Sequence, residues 1–345
     1  MSSETSIFAN RQAPGISRRR FLALSAGALA GVCAGSYASG IRLPSPRADK
    51  TAMDAARFHA LRRYTQTAFG RIAHVEQGSG PAALFLHGFP LNGFQWRGAL
   101  DRLAAYRRCI APDYLGLGYT EVADGQSCAP QAQVAMLVAL LDALGVEHAD
   151  VVANDSGGAI AQLLLAHHPE RVRSLLLTNC DTELDCPPPA LLPVIALAKQ
   201  GRFVDDWLGK WRHDHVLARS AAGIGGMCYA DPADPTDEAI ETYFAPLLAS
   251  QRSRDCAHAY ATALEHNSLS GIGPALARSR VPVRIVWGDA DTIFSANNAD
   301  YLARAFGHSL GVRRLKDSKL FWPEERPDVI AEEAHRLWTT QGDKA

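Results

Sequence analysis

Two potential nucleophiles stand side by side in the stretch VVANDSGGAIAQ, residues 151–162. An aspartate nucleophile, Asp155, would form alkyl or glycol esters by attacking carbon, whereas a serine nucleophile, Ser156, would form acyl esters. The apolar residues before the pair indicate a buried strand, and the small and apolar residues after it indicate a helix. The residue at the tip of the turn between strand and helix therefore determines which chemistry the sequence predicts.

The small residues around this turn favour Asp155. A sharp strand-to-helix turn that presents a nucleophile needs small residues two positions before and two positions after its tip. With Asp155 at the tip, these are Ala153 and Gly157, whereas Ser156 at the tip would put the larger Asn154 at the first of them. The alternative is an aspartate that only caps the following helix, a position that Asp favours.

Apolar runs alternate with segments of helical period along most of the chain, which predicts the elements that hold this turn. Runs that are apolar throughout indicate strands covered on both faces, and their alternation with helices indicates a parallel sheet. The sequence therefore predicts an α/β fold with a doubly wound, mostly parallel sheet. The predicted strands are 82–88, 107–118, 149–155, 172–180, 281–291 and 311–318, and the clearest helices are 133–146 and 157–172.

The alternation stops between residues 182 and 275, where three consecutive prolines, several aromatic residues and helix-like segments replace it. We predict that residues 182–275 form a helical cap inserted after the sixth strand, over a core made of residues 55–181 and 276–340. The cap would cover the carboxyl edge of the sheet, where ligands bind in such folds.

The motifs FLHGFP, APDYLGLGYT and VWGDAD, together with the turn at Asp155, resemble the α/β-hydrolase fold in their order and spacing over residues 65–340. An aspartate at the turn is similar to the haloalkane-dehalogenase and epoxide-hydrolase branches. The resemblance implies that Asp155 attacks an sp3 carbon and that water then cleaves the ester. It also implies an oxyanion loop of His87, Gly88 and Phe89, in which His87 is structural and the backbone N–H groups of Phe89 and Ser156 stabilise negative charge.

The dehalogenase pattern is incomplete, because Phe89 and Ser156 stand where those enzymes hold the leaving halide with side-chain N–H groups. The epoxide-hydrolase branch instead uses tyrosines of the cap to protonate the opening ring. Tyr229, Tyr243 and Tyr260 lie in the predicted cap, and we assign Tyr229 and Tyr243 to the substrate site. Packing in the cap is the alternative role for these tyrosines.

The acid of the family's relay follows a late strand, and Asp291 of VWGDAD occupies that position. Asp289 of the same motif is a second possibility, which would more simply cap the turn. Asp181, which follows the strand ending at Cys180, is the place where some relatives carry this acid instead. We predict Asp291 as the acid and keep the other two as alternatives.

The family's catalytic histidine follows the last strand, and alignment of the tail DSKLFWPEERP puts Leu320 on its position. His335, the only later histidine, falls inside the final helix. Loss of a triad base can lower turnover by about six orders of magnitude. We therefore predict a displaced base, with His266 preferred among the histidines of the cap; the alternatives are His213, His215 and His258.

Composition excludes several other classes of function. The chain of 345 residues has a formal net charge of −1, which gives no general attraction to nucleic acid or to an anionic membrane. Its cysteines lack metal-binding spacing, and the segment WRHDH lacks further ligands, so we predict neither a metal nor another cofactor. Free thiols are expected for most cysteines, with Cys180 and Cys186 the first pair to test for a disulfide.

Residues 1–45 are predicted to be an export signal and not part of the fold. Arg18, Arg19 and Arg20 precede an apolar, alanine-rich run that ends in small residues, and SRRRFL resembles the twin-arginine motif. The expected partner is the twin-arginine export machinery, and the expected location is the periplasm or the medium, with no membrane attachment after removal of the signal. A retained anchor, or a lipoprotein site at Cys33, is the alternative.

Three functions are compatible with these residues. The first is a hydrolase that acts on a small apolar molecule such as an epoxide, an ester or a halide through Asp155. The second is a lyase or isomerase that uses the same pocket without hydrolysing an ester. The third is a small-molecule binder without catalysis, because a fold does not determine a function.

Overall fold

The computed structural model describes residues 53–339, so the predicted export signal lies outside the described residues. The strands are β1 (Arg62–Thr67), β2 (Gly70–Gln77), β3 (Ala82–Leu86), β4 (Arg108–Pro112), β5 (Glu121–Val122), β6 (Ala149–Asp155), β7 (Val172–Cys180), β8 (Val283–Gly288) and β9 (Ser309–Leu315). The helices of the core are α1 (Ala55–Leu61), α2 (Arg97–Leu103), α3 (Pro130–Ala143), α4 (Ser156–His167), α11 (Gly273–Arg278), α12 (Asn297–Ala305), α13 (Trp322–Glu325) and α14 (Pro327–Thr339).

The strands form one sheet in the order β1-β2-β4-β3-β6-β7-β8-β9, and β5 pairs with β2. From β4 through β9 the pairs along this order are parallel, while β2 runs antiparallel to β1, β4 and β5. Every residue of β3 and β6 is buried, as expected for central strands with helices on both faces. The doubly wound, mostly parallel sheet is therefore confirmed, and Asp155 ends its central strand β6.

The segment between β7 and β8 is helical. Its helices are α5 (Leu192–Lys199), α6 (Lys210–His213), α7 (His215–Arg219), α8 (Ile224–Cys228), α9 (Asp237–Leu248) and α10 (Gln251–Ala263), with a π-helical turn at Val204–Gly209. Strand β7 is the sixth strand if the two-residue β5 is left out of the count, so this insertion lies where the sequence predicts a cap. Among the described residues, no helix is both long enough and apolar enough to cross a membrane.

Specific contacts attach these cap helices to the core. The side chain of Asn92 donates to the carbonyl of Thr242 in α9 at 2.9 Å, and the backbone N–H of Phe321 donates to the carbonyl of Cys228 at 2.9 Å. Helix α10 is capped by Ser250, whose side chain accepts from the N–H of Ser253. The contacts of Asn92 and Phe321 hold α9 and the end of α8 against the core.

Candidate active site

Asp155 lies at the tip of the turn between β6 and α4. Its backbone has φ 56° and ψ −131°, and it is the only non-glycine residue in the described part of the chain with a positive φ. Close packing surrounds the turn: a Cβ on Gly157 would lie 2.5 Å from the carbonyl oxygen of Leu86, and one on Gly158 would lie 2.3 Å from Cβ of Cys180. A strained backbone at a position enforced by packing is typical of functional residues.

The loop after β3 holds the carboxyl group of Asp155. The backbone N–H of Phe89 donates to Oδ2 of Asp155 at 2.8 Å. Gly88 permits this approach, because a Cβ at that position would lie 2.7 Å from the same oxygen. The backbone N–H of Ser156 also hydrogen-bonds the carboxyl group. Asp155 thus receives the two N–H groups that the sequence assigns to an oxyanion hole.

The ring of His87 holds the loop after β3 by hydrogen bonds to the backbone and is not positioned as a base. Its Nδ1 donates to the carbonyl of Gly88 at 2.9 Å, while its Nε2 accepts from the backbone N–H of Tyr114 at 3.3 Å. Burial lowers the pKa of His87 to about 4, so the ring is neutral and both nitrogens are occupied. This arrangement matches the structural role implied by the sequence.

Asp155 opens into a cavity of about 120 Å³ between the core and the cap. Aromatic and aliphatic side chains form most of its wall, and three polar residues, Asp155, Ser156 and Asp181, lie among them. The apolar wall includes Phe89, Val194, Phe203, Trp207, Trp211, Ile224, Phe294, Leu320 and Phe321. Such a cavity suits a small apolar molecule that meets its few polar groups at Asp155.

Leu320 lines this cavity, and no histidine does so among residues 53–339. The carbonyl of Leu320 accepts from the side chain of Asn154 at 3.0 Å, which fixes the tail beside the nucleophile turn. The prediction of His266 as a displaced base is wrong, because His266 is exposed after α10 and lies outside the cavity wall. The helix faces of the cap are set by tertiary packing that the sequence does not reveal.

The other cap histidines are engaged elsewhere. His258 accepts a hydrogen bond from the backbone N–H of Val204 at 3.2 Å, and His215 pairs with Asp237 at 2.9 Å. His213 is not among the residues that form the cavity wall. None of these imidazoles can therefore reach a molecule bound beside Asp155 without a rearrangement of the cap.

Asp291 follows β8 as predicted, but its carboxylate is occupied and lies outside the cavity wall. Asn179 donates to Oδ2 at 2.8 Å and the backbone N–H of Ile293 donates to Oδ1 at 2.8 Å. Burial raises the pKa of Asp291 to about 6 against these hydrogen bonds. The side chain fixes the loop after β8 and has no imidazole to orient.

The assignment of Tyr229 and Tyr243 to the substrate site is wrong. Both hydroxyl groups donate to Oε2 of Glu324, at 3.1 and 2.6 Å, and Arg97 donates to Oε1 of the same carboxylate at 2.9 Å. This buried cluster ties the cap to helix α13 and lies outside the cavity wall. The two tyrosines therefore have a structural role.

Tyr260 is the cap tyrosine that reaches the nucleophile turn. Its hydroxyl lies 3.1 Å from Oγ of Ser156, and its ring stacks on Phe89 with centroids 5.4 Å apart. Sequence reasoning named Tyr260 only as one of three tyrosines in the cap, because nothing in the helical period distinguishes it from the others.

Asp181 is the second carboxyl group in the cavity. Burial and the nearby charge of Asp185 raise its pKa to about 7, while hydrogen bonds from its own backbone N–H and from the thiol of Cys186 lower it. Cys180 and Cys186 are free thiols, as are the other described cysteines. Within the described range, no three histidine, cysteine, aspartate or glutamate side chains are grouped so that they could hold a metal ion.

The charge of Asp155 is disfavoured in this setting. Burial, followed by the nearby carboxyl of Asp181, raises the pKa of Asp155 well above its usual range. The backbone N–H groups of Phe89 and Ser156 act in the opposite direction because they stabilise the carboxylate. The site therefore consists of two coupled carboxyl groups, two oxyanion donors and an apolar cavity.

Segments of the chain are similar to proteins named as hydrolases and dehalogenases. The chain is 45% identical over 106 residues to a 2-hydroxymuconate semialdehyde hydrolase of Pseudomonas putida, a match that covers 30% of this chain and 37% of that protein. It is 32% identical over 117 residues to haloalkane dehalogenase 2 of Mycobacterium tuberculosis, covering 34% and 41%. It is 36% identical over 118 residues to an epoxide hydrolase of Caballeronia sordidicola, covering 33% and 36%. The matched segments thus span less than half of these relatives.

Solved structures extend the likeness over the whole fold. The unliganded epoxide hydrolase CorEH superimposes with a TM-score of 0.66 at 19% identity, covering 81% of this chain and 99% of that chain. Haloalkane dehalogenase DbeA from Bradyrhizobium elkani gives a TM-score of 0.66 at 23% identity, covering 81% and 99%. Residues 81–318 match the family described as alpha/beta hydrolase fold. Because this match covers more than half of its length, the chain belongs to the α/β-hydrolase fold family.

Proposed function

We propose that this chain is a hydrolase that opens a small apolar epoxide through an ester formed on Asp155. The observation that carries the proposal is the hydrogen bond from the N–H of Phe89 to Oδ2 of Asp155, at the wall of an apolar cavity. This N–H stabilises the oxyanion that forms on Oδ2 when water attacks the carbonyl carbon of the ester. Relatives named as epoxide hydrolases support the same chemistry.

An epoxide fits the polar groups of the cavity better than an alkyl halide. Ser156 and Phe89 provide no side-chain N–H that could hold a halide ion, whereas the hydroxyl groups of Ser156 and Tyr260 and the carboxyl of Asp181 provide protons near Asp155. The leaving group of an epoxide is an alkoxide, which requires a proton. The reactive carbon would bind at Asp155 and the apolar substituent would contact the aromatic wall.

The test is covalent labelling of the purified protein with styrene oxide, followed by intact-mass spectrometry and peptide mapping. We expect one increment of substrate mass on Asp155 and none in Asp155→Asn. A single turnover in water labelled with ¹⁸O should place the heavy oxygen in the side chain of Asp155, because water attacks the ester carbonyl. Label on Ser156 would contradict the proposal and indicate acyl transfer.

A second function, small-molecule binding without turnover, is favoured by Leu320 in place of an imidazole. That protein would bind an apolar ligand, leave Asp155 unmodified by styrene oxide and release no diol. Isothermal titration with the non-reactive analogue 1-phenylethanol, run beside the labelling, separates the two functions. Tight binding of the analogue without any label would support the binder over the hydrolase and over a lyase or isomerase.

We also propose that the first 45 residues direct export by the twin-arginine route to the periplasm or the medium. The support is the segment SRRRFL followed by an apolar run. Replacement of Arg18 and Arg19 by lysine should keep the protein in the cytoplasm, as measured by cell fractionation and immunoblotting. Unchanged export of that variant would contradict the twin-arginine route.

A further inference from the structure

Resting on the proposed function, we propose that Asp181 transfers the protons of this reaction in place of the histidine that the chain lacks. Asp181 would protonate the leaving alkoxide as the ester forms, and its carboxylate would then take a proton from the water that cleaves the ester. No histidine lies in the wall of the cavity within residues 53–339, so a carboxyl group at this place is the base that the site offers.

The sheet brings the two carboxyl groups together. Asp155 ends β6 and is paired with Cys180, the last residue of the neighbouring parallel strand β7. Adjacent strands lie about 5 Å apart, and Asp181 is the next residue after Cys180. Both carboxyl groups line the same cavity. A water molecule bound between them would contact the nucleophile and the proton acceptor at once.

In the described part of the chain, Asp181 has no cationic partner, in contrast to the buried Asp150. Asp150 is held by Arg107 and Arg173 at 2.9 Å each. Among the residues that the structure describes, no lysine, arginine or histidine forms an ion pair with Asp181. Its hydrogen bonds come from its own backbone N–H and from the thiol of Cys186. A buried carboxyl group without a structural ion pair is available for proton transfer.

Coupling between the two groups leaves one negative charge in the cavity near neutral pH. Two carboxylates this close cannot both ionise easily, so they titrate as a pair. Backbone N–H groups stabilise the charge at both residues, those of Phe89 and Ser156 at Asp155 and its own at Asp181, while Asp291 opposes the charge at Asp155. The pair therefore shares one proton, and attack on an epoxide proceeds from the form in which Asp155 is the carboxylate and Asp181 is the carboxylic acid.

The protons balance over one turnover. Asp155 attacks the epoxide carbon, the ring C–O bond breaks, and the resulting alkoxide takes the proton of Asp181. The Asp181 carboxylate then removes a proton from water, whose oxygen bonds to the ester carbonyl carbon while Oδ2 carries the negative charge. The tetrahedral intermediate expels the diol oxygen, which takes a proton from the carboxyl pair and leaves one proton shared between Asp155 and Asp181.

Two alkylating agents distinguish the role of Asp181 from that of Asp155. Benzyl bromide needs no proton to leave, whereas styrene oxide does. In Asp181→Asn we expect benzyl bromide to label Asp155 at least as fast as in the wild type, and styrene oxide to label it at least 100-fold more slowly, the lower end of typical acid–base contributions. Asp124→Asn, a matched substitution at an exposed position outside the cavity, should behave as the wild type within about threefold.

Decay of the benzyl ester measures the second proton transfer. In the wild type the decay rate should rise with pH and level off above an apparent pKa near 7, and in Asp181→Asn it should fall at least 100-fold and lose this dependence. Equal decay rates, or equal labelling by styrene oxide, would overturn the role of Asp181 while leaving the nucleophile intact. Absence of label on wild-type Asp155 with either agent, together with no release of diol or benzyl alcohol, would instead refute the proposed function and the proton transfer with it. Loss of benzyl labelling only in Asp181→Asn would show that Asp181 positions the nucleophile, which also overturns the inference.

Discussion

Replacement of Asp181 by asparagine should stabilise the protein more at pH 8 than at pH 5. Burial raises the pKa of Asp181 to about 7, so the folded protein holds a proton that the unfolded chain, with an ordinary value of 3.8, has already released at pH 5. A carboxyl group with a raised folded-state pKa favours folding at low pH and opposes it progressively as pH rises through the folded-state value. Asparagine is neutral throughout and lacks this penalty.

The magnitude follows from the two pKa values. A rise in the pKa of Asp181 from 3.8 to about 7 lowers the free energy of unfolding by about 4 kcal/mol once the group is ionised, because each unit of pKa contributes about 1.4 kcal/mol. About 3 kcal/mol of this loss in the free energy of unfolding occurs between pH 5 and pH 7. Above about pH 7, the difference in unfolding free energy between variant and wild type should be constant. Removal of the charge at Asp181 also removes its repulsion of the Asp155 carboxylate, which further stabilises the folded variant at high pH.

Urea unfolding followed by tryptophan fluorescence at pH 5, 6, 7 and 8 measures this difference. Any change in packing or hydrogen bonding caused by asparagine is independent of pH, so the slope of the difference with pH carries the test. Asp124→Asn, at an exposed position outside the cavity, serves as the matched control and should show a much smaller slope. A difference between Asp181→Asn and wild type that stays constant from pH 5 to pH 8 would refute the raised pKa and the pairing with Asp155.

Three further variants test the geometry of the site. Gly88→Ala places a Cβ 2.7 Å from Oδ2 of Asp155 and should slow decay of the benzyl ester about 100-fold with unchanged circular dichroism, the loss expected when one oxyanion donor is displaced; an unchanged decay rate would contradict this. Glu324→Gln leaves the buried guanidinium of Arg97 without its counter-charge and should lower the free energy of unfolding by about 3 kcal/mol in urea, with an unchanged value counting against the cluster. Leu320→His adds an imidazole to the cavity wall and should shorten the lifetime of the benzyl ester at least tenfold, as followed by intact mass, and an unchanged lifetime would show that the tail does not aim this side chain at the ester.

Much of the central sheet could be predicted from the sequence, because fully buried strands are apolar at every position. Strands β3, β6, β7 and β8 coincide with predicted runs, and β3 and β6 are buried along their whole length. Strand β1 is not predicted, since its sequence RRYTQT is polar and all of its residues are exposed or half-buried at the edge of the sheet. Only its antiparallel pairing with β2 in the structure shows that this segment is a strand of the sheet.

The turn at Asp155 and the loop of Phe89 could also be predicted from the sequence, because tight turns restrict residue types at fixed spacing. Gly88 and Gly157 stand where a Cβ would collide with neighbouring atoms. The sequence of the cap gave less information about which of its side chains reach the site. Tyr229, Tyr243 and Tyr260 have similar surroundings in the sequence, and only the packing of the cap helices directs the first two to Glu324 and the third to Ser156.

The tail that carries Leu320 remains bonded to the turn at Asp155 although it has no histidine. Asn154, the residue before Asp155, donates to the carbonyl of Leu320 at 3.0 Å, and its own side-chain oxygen accepts from Gln95 at 2.7 Å. Gln95 in turn accepts from the backbone N–H of Gly88 at 2.8 Å, so backbone and amide groups connect the tail, the turn and the oxyanion loop. None of these contacts requires an imidazole. A leucine can therefore occupy this position without disturbing Asp155, and the acid–base chemistry of the cavity then depends on its carboxyl groups.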